Sequence, residues 1–568
     1  MTPDELLAGL DAEQRVAAES LLGPVCILAG AGTGKTRAIT HRIAYGVATG
    51  SYDPKRVMAL TFTNRAAAEL RGRLRGLGAG GVQARTFHAA ALAQLNHFWP
   101  LVVGGRTPEL APGKGRILGH AAQVLKLKVD TATLRDIASE VEYRKVSGLS
   151  VDAYTAAGRP VPNGLTADQL ADLMDTYERL KDERKLIDFE DVLLTTAGMI
   201  EVEPSVAMHV REQYRFFVVD EYQDVSPLQQ QLLELWLGDR RELCVVGDAS
   251  QTIYSFAGAS SSYLLDFGRR WDDATVVRLE QNYRSTPPVV AAANELMRGR
   301  PGSLTLHSAH EAHEAQSAPT PEVAGYRGDT AEAVGIAAAI AQSIAAGTPP
   351  EQVAVLYRVN VQAAALENAL GDAGVPYRVH GAKRFFDQPE VKQAVLALRA
   401  ASVTVSGEPL FKSVSDVLRS LGWTQAPPEQ GGSVRDKWES LNALMTLADE
   451  AAPGTTFRRF TDELLERQAS QHEPTLRAVT LATLHSAKGL EWDEVHIVGL
   501  SEGLVPISYA TTFEQVDEER RLLYVGITRA RRRLRLSWSA AGNGRAAARQ
   551  PSRFLAELGS RIARAGSA

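Results

Sequence analysis

Apolar positions in this chain fall into short dense runs, separated by glycine-bearing turns and by stretches with helical spacing. GPVCILA (23–29) reads as a buried strand, GAGTGKT as a tight turn, and RAITHRIAYGVATG as a helix ending near Gly50. VMALTF (57–62) predicts a second strand, followed by an alanine-rich helix from about 64 to 75. FFVVD (216–220) and ELCVVGD (242–248) predict a third and a fourth. Strands alternating with helices imply a parallel sheet covered on both faces. Residues 93–190 are mostly helical in pattern and read as an insertion. A second α/β set is expected from near Thr275, with VVRLE (276–280), VAVLYRV (353–359), VTLATLH (479–485), VHIVGL (495–500) and LRLSW (534–538). A helical stretch (381–476) interrupts it, residues 299–322 read as a loop, and no repeat of fixed period is visible.

At 568 residues the chain is too long for one ordinary domain. With 45% hydrophobic and 23% charged residues it has an ordinary globular composition, which excludes a disordered or fibrous chain. No apolar run reaches the ~18 residues of a membrane span. The N-terminus, MTPDELLAGLDAEQ, is too acidic and polar for a secretory signal. The two cysteines, Cys26 and Cys244, lie in apolar runs, so a reducing, cytoplasmic setting is expected. The net charge of −5 does not exclude nucleic acid, because what counts is how basic residues are distributed. Lysines number 13, leaving 49 arginines among 62 basic residues.

Ala29-Gly30-Ala31-Gly32-Thr33-Gly34-Lys35-Thr36 matches a Walker A phosphate loop, with Ala29 in place of its first glycine. Glycines let backbone N–H groups turn toward phosphates, and the helix N-terminus adds positive potential. Lys35 can reach the β/γ-phosphates and Thr36 can ligate Mg²⁺. The competing reading is a structural strand–turn–helix corner. FFVVDEYQD (216–224) supplies a strand ending in carboxylates. Asp220 is placed to hold Mg²⁺ and Glu221 to take a proton from the attacking water.

DEYQD, VVGDASQTIYSF, QNYRS, TLHSAKGLEW and EERRLLYVGITRA together resemble the motif series of superfamily 1A DNA helicases, the UvrD/Rep/PcrA family. The resemblance runs from Leu10 to PSRFLAEL (551–558). FWP, VSGLS and the short second insertion are most similar to a shorter actinobacterial branch. It implies an α/β fold of two RecA-like parallel-sheet domains, with an ATP cleft between them and a mainly helical insertion in each. The expected division is 1–92 and 188–280 for domain 1A, 93–187 for insertion 1B, 281–380 and 477–568 for domain 2A, and 381–476 for a reduced 2B-like insertion. By the same resemblance Gln14 recognises adenine, Arg37 and Tyr283 sandwich it, and Glu491 contacts the ribose. Gln251 senses the γ-phosphate, and Arg284 and Arg529 are arginine fingers. Thr61, Phe62, Asn64, Thr86, His88, Tyr254, Phe256, Thr483 and His485 contact single-stranded DNA, the aromatics by stacking.

Some positions depart from that pattern. Phe256 stands where larger relatives have Trp, Ala257 where they have Arg, and Ala89 follows His88 where they have Ser. Core packing competes with base stacking for Phe87 and Phe256. Arg531, Arg532, Arg533 and Arg535 suggest the solvent face of a strand, with DNA contact as the alternative. His307, His310 and His313 resemble a metal cluster only superficially. Asp188, Glu190 and Asp191 read as a helix cap rather than a nuclease site.

The resemblance implies an ATP- and Mg²⁺-dependent single-strand translocase and 3′→5′ helicase in repair or replication. It would act as a cytoplasmic monomer on single strands and 3′-tailed duplex, with a repair or single-strand-binding protein as partner. A second reading keeps the ATPase but displaces bound proteins, with little unwinding or only with a partner. A non-catalytic scaffold and a small-molecule kinase fit the motifs less well. Stacking and backbone contacts do not by themselves separate DNA from RNA.

Overall fold

The apolar runs become two parallel ladders in a computed structural model, which describes residues 1–162, 164–310, 318–380, 385–404, 407–428, 433–452, 454–469, 478–542 and 548–564. The chain divides into two units: Met1–Tyr283 with Gly299–His307, and Arg284–Arg298 with Ser308–Ala568.

Unit one is built on β1 (Val25–Ala29), β2 (Val57–Thr61), β3 (Gln83–Thr86), β6 (Phe216–Val219), β7 (Leu243–Gly247) and β8 (Thr275–Leu279), in the order β3-β2-β6-β7-β1-β8. Every neighbouring pair is parallel. Central strands are buried on both faces, which is why they read as continuous apolar runs. Val57 and Ala59 join one core with α2 (Lys35–Ala48) and α3 (Asn64–Gly76). Met58 and Leu60 join the other, with α4 (Phe87–Val102), α9 (Phe189–Val202) and α11 (Pro227–Leu237). Cys26 and Cys244 fall in opposite cores, and both thiols are free.

Thr275–Leu279 corrects the expectation that this run opens the second α/β set, since β8 pairs with β1 along the edge of the first sheet. Its outer residues are exposed, as an edge strand allows, and apolar content alone could not reveal which sheet it joins. The helical stretch after α4 holds α5 (Lys114–Val124), α6 (Thr131–Val146), α7 (Val151–Ala156) and α8 (Ala167–Glu183) around a core of their own. Two-residue strands β4 (Glu109–Leu110) and β5 (Leu186–Ile187) pair at its base, and α10 (Pro204–Gln213) leads into β6.

Unit two carries β9 (Glu322–Tyr326), β10 (Val353–Tyr357), β11 (Tyr377–His380), β12 (Val479–Thr483), β13 (Trp492–Ile497), β14 (Ala530–Ser539) and β15 (Ala563–Arg564). Their order is β11-β12-β10-β13-β14-β9-β15, again parallel throughout. Helices α12 (Pro287–Leu296), α13 (Asp329–Ala345) and α14 (Ala363–Asp372) belong to this unit. Between β11 and β12, α15 (Pro389–Thr404), α16 (Leu410–Ser420), α17 (Ser433–Asp449) and α18 (Phe457–Ala469) share a separate core that includes Phe385, Leu398, Leu444 and Phe460. Helix α19 (Phe513–Ile527) precedes β14, and α20 (Arg553–Leu558) follows it. No described helix is long and apolar enough to cross a membrane.

Candidate functional site

The phosphate loop links β1 to α2 with Gly32 and Gly34 at φ +72° and +81°, a region that L side chains rarely adopt. Ala29 ends the strand, Gly30 N–H donates to Leu279 C=O at 3.2 Å, and Thr33 Oγ1 donates to Gly30 C=O at 2.9 Å. Lys35 and Thr36 open α2. Gln14 is fully buried against the loop, donating from Nε2 to Thr33 C=O at 3.0 Å. A Cβ on Gly34 would lie 2.7 Å from that nitrogen, so any larger residue here would displace the Gln14 amide as well as strain the backbone at φ +81°. Asn282 donates to Ala31 C=O at 2.7 Å, and Tyr283 N–H donates to Gly32 C=O at 2.9 Å. Asp11 caps α1 (Ala12–Glu19), accepting from Gln14 N–H at 2.7 Å, and accepts from the Tyr283 hydroxyl at 2.5 Å. Burial and that bond push the Tyr283 phenol up to about 12. Arg37 donates to Gly9 C=O at 2.5 Å. Gln14, Arg37 and Tyr283 thus gather beside one loop.

Past β6, Asp220 N–H donates to Leu60 C=O at 2.9 Å, which ties the acidic turn to β2. Glu221 has φ +52°, an uncommon conformation for a residue with a long side chain. Its carboxylate lies 3.3 Å from Lys35 Nζ and accepts from Gln223 Nε2 at 2.5 Å. Gln223 Oε1 accepts from Asp248 N–H at 3.0 Å, and Asp248 accepts from Gln251 Nε2 at 2.7 Å. The result is one polar chain, Lys35–Glu221–Gln223–Asp248–Gln251. Burial raises the Asp248 carboxyl, while Lys35 and Gln251 partly oppose that rise. Apart from Glu221, Lys35 Nζ has no hydrogen-bond partner among the described residues although it is buried, an arrangement suited to an anion.

Gln251 leads directly to the aromatic pair Tyr254 and Phe256, whose rings meet edge-on at 6.2 Å. Burial, then the charges of Asp224 and Glu221, push the Tyr254 phenol up to about 12. Phe256 is 62% exposed, whereas Phe87 is buried and stacks on Trp236 at 6.0 Å. The two competing readings therefore divide: Phe87 is core and Phe256 is surface. Thr61 is buried at the end of β2, Phe62 packs partly on the core, and Asn64 opens α3. Thr86 caps α4 by accepting from Ala89 N–H at 3.1 Å. His88 is kept neutral by burial and by Lys114, and its ring meets Phe189 edge-on at 5.7 Å. Phe189 is 59% exposed.

In unit two, Arg284 Nε donates to Glu491 at 2.5 Å and its NH1 to Thr528 C=O at 3.2 Å. Arg529 is buried, and its three nitrogens donate to Val525 C=O, Leu490 C=O and Thr528 Oγ1 at 2.9, 3.1 and 3.0 Å. Burial opposes charge on Glu491, but Arg284 and Arg531 outweigh it and hold its carboxyl below the usual range. Thr483 closes β12 with a turn to Ser486 (2.9 and 3.1 Å). Burial, with Arg358 and Lys488 nearby, holds His485 neutral, down to about 3.

The later arginines lie on β14 and are part-exposed or, at Arg532, exposed, as the solvent face of a strand allows, and three of them are ion-paired. Arg531 pairs with Glu491 and Asp493, Arg533 with Glu494, and Arg535 with Glu322 and Glu494. Their acidic partners stand on or beside neighbouring strands, and Arg532 is exposed. Asp188 caps α9 in a reciprocal box with Asp191, as expected. His307 and His310 form no metal cluster with other described residues, and His313 lies outside them.

Sequence reasoning missed Gln223, Asp248, Asn282 and Phe189. The first three stand inside motifs it had singled out, but hydrogen bonds between distant loops carry no local signal. Phe189 was passed over as part of a cap.

Residues 10–272 match the UvrD/REP helicase N-terminal domain, and residues 277–426 and 409–541 match the UvrD-like helicase C-terminal domain. The chain is 48% identical over 574 residues to ATP-dependent DNA helicase UvrD2 of Mycobacterium tuberculosis (strain ATCC 25618 / H37Rv), covering 97% of this chain and 82% of that protein. It is 28% identical over 654 residues to ATP-dependent DNA helicase PcrA of Bacillus subtilis (strain 168), covering 98% and 86%. Against DNA helicase II of Escherichia coli (strain K12) the identity is 29% over 641 residues, covering 97% and 88%. With its phosphate loop, its two parallel sheets and these similarities, the chain belongs to the UvrD-like helicase family.

Proposed function

We propose that the chain hydrolyses ATP with Mg²⁺ and uses the energy to move along single-stranded DNA, unwinding duplex in the 3′→5′ direction. The observation that carries this reading is the polar chain from Lys35 to Gln251, which starts at the phosphate loop and ends three residues before Tyr254. It links the place where phosphate would bind to the aromatic pair that would hold bases. The named relatives are ATP-dependent DNA helicases, which supports unwinding as the outcome.

Gln14, Arg37 and Tyr283 would bind the base, and Glu491 the ribose. Thr36 and Asp220 are the oxygen donors that would hold Mg²⁺, an ion that neutralises charge developing on the phosphates. In the structure Lys35 is balanced by Glu221. A γ-phosphate would compete for the ammonium, leaving Glu221, still oriented by Gln223, to accept the proton of the attacking water. Gln251 would register that phosphate through Asp248. Arg284 and Arg529 would supply guanidinium charge, a contribution typically worth ~10³–10⁵ in rate. Arg529 would have to exchange one of its present acceptors to do so.

Thr61, Phe62, Asn64, Thr86, His88, Tyr254, Phe256, Thr483 and His485, joined by Phe189, would form the single-strand track. Stacking of ~1–3 kcal/mol per base is close to the ~1.4 kcal/mol of one duplex step, so moving one base can be coupled to opening one pair. The division into 1A, 1B, 2A and a reduced 2B, a monomeric state, a cytoplasmic role in repair or replication, and a repair or single-strand-binding partner belong to the same proposal. Ala257 beside a single well-exposed ring, and the small helical core of 385–469, favour a second reading in which bound proteins are displaced with little unwinding.

ATP hydrolysis with and without single strands, beside Glu221→Gln, tests the motor, and 3′- and 5′-tailed duplexes test polarity. Stimulation lost in Glu221→Gln, with displacement from the 3′ tail alone, is the expected result. Stimulation without displacement from either tail selects the second reading. A lack of stimulation refutes the DNA assignments.

A further inference from the structure

Unit one presents two aromatic pairs, Tyr254–Phe256 and His88–Phe189, and both are anchored to one buried set of charges. Gly258, at φ +88°, closes the turn at 255–257, which packs on the last turn of α6. A Cβ on Gly258 would lie 2.8 Å from Val146 Cγ2, so the loop backbone rests directly on that side chain. The preceding residue, Lys145, points inward and is 2% exposed. Its Nζ meets Asp188 at 2.8 Å, Asp191 at 2.6 Å and Glu178 at 2.9 Å. Lys181, equally buried, binds the same three carboxylates. Tyr177 donates to Asp188 at 2.9 Å, and Arg144 to Glu178 at 2.8 Å. Asp188 and Asp191 fix the first turn of α9, and Phe189 is the residue between that cap and Glu190, itself held by Lys114 at 2.8 Å.

Three cations thus face three carboxylates around the joint between α6, α8 and α9. Such buried networks contribute little net stability over apolar packing, yet they define geometry closely, because any displacement leaves a charge uncompensated. A joint meant only to hold helices together could be apolar, as the neighbouring core of Ile137, Val141 and Leu173 is.

We infer that the cage of Lys145, Lys181, Glu178, Asp188 and Asp191 is a positioning device that sets the spacing between the two aromatic pairs, and with it the register of successive bases along a single strand. The inference rests on the proposed DNA reading. Its working contact is Gly258 on Val146: a change there moves the Tyr254–Phe256 pair relative to His88–Phe189 while the cage and the phosphate loop stay intact.

The test measures ATP hydrolysis against the concentration of an oligothymidylate single strand, for the wild type, Gly258→Ala, Val146→Phe, Val146→Ala and the Gly258→Ala/Val146→Ala pair. Loss of one well-placed stack raises the half-saturating DNA concentration about ten-fold. That rise is expected for Gly258→Ala and for Val146→Phe, which crowds the same contact from the helix side and leaves the loop sequence unchanged. DNA-free hydrolysis should stay within about two-fold of wild type, whereas general loss of structure would lower both. Removing Cγ2 in the paired variant should restore part of the affinity, the remainder being the strain of a side chain at φ +88°. Unchanged half-saturation in both crowding variants overturns the inference. So does a loss in Gly258→Ala that Val146→Ala does not relieve, which would be backbone strain alone. A wild type that no single strand stimulates refutes the DNA reading itself, and the inference with it.

Discussion

Gln223 offers the sharpest test of how the site is held. It is fully buried, donates to Glu221 at 2.5 Å and accepts from Asp248 N–H at 3.0 Å. Gln223→Leu removes both bonds at similar volume. A hydrogen bond to a charged group contributes about 1.5–3 kcal/mol, which at 1.4 kcal/mol per decade is about ten- to hundred-fold in kcat if Glu221 loses its orientation. Stranding the Asp248 N–H costs about 1–3 kcal/mol of stability, within reach of a total that is typically 5–15. Gln223→Glu separates the two effects. It keeps an acceptor for Asp248 but places a second carboxylate against Glu221, which raises the apparent pKa of the pair and moves the rise of activity to higher pH. The assay is single-strand-stimulated ATP hydrolysis across pH 5–9, with denaturant unfolding of each variant. If Gln223→Leu keeps kcat within about two-fold of wild type, Gln223 does not orient the base and the proposed chain of contacts is wrong.

Phe87→Ala should destabilise the protein by about 3–5 kcal/mol in denaturant unfolding, because it empties core volume against Trp236. Phe256→Ala should leave stability almost unchanged and raise half-saturating DNA about ten-fold in the ATPase assay. Lys145→Met should cost about 3–5 kcal/mol in the same unfolding measurement, since Asp188 and Asp191 lose a buried counter-charge. Burial pushes the Glu332 carboxyl up to about 7, although Gly499 N–H and the Ser537 hydroxyl donate to it at 2.9 and 2.5 Å. Its folded pKa lies above the ordinary 4.5, so its contribution is complete below pH 4.5 and is lost as pH rises through 7. Melting curves from pH 5 to 8 should show wild type losing stability relative to Glu332→Gln as pH rises; parallel curves would refute the assignment.

The strands that form the sheet centres were legible because they are buried on both faces. FFVV and LCVVG announce themselves without any partner being known. QART (83–86) and EVAGY (322–326) did not, since each mixes polar or small residues with few apolar ones and depends on a neighbour already in place. The phosphate loop was readable because its glycines answer a local need for positive φ. Local sequence could not show that Gln223 and Asp248 join Glu221 to Gln251, because that chain crosses from the β6 turn to the β7 turn. The pairing of the arginines after Arg529 was not legible for the same reason: their partners Glu494 and Glu322 arrive from other strands.

The two cysteines lie on adjacent strands of the first sheet but face opposite cores, and unit two has none. Burial pushes the Cys26 thiol up to about 12, and Cys244 also upward, so neither presents appreciable thiolate at neutral pH while the sheet is closed. Alkylation at these sulfurs must therefore wait for the sheet to open. The natural sequence thus carries its own labels. Mass-resolved labelling rates in mild denaturant would time the exposure of each face of unit one separately, against a second unit that stays silent.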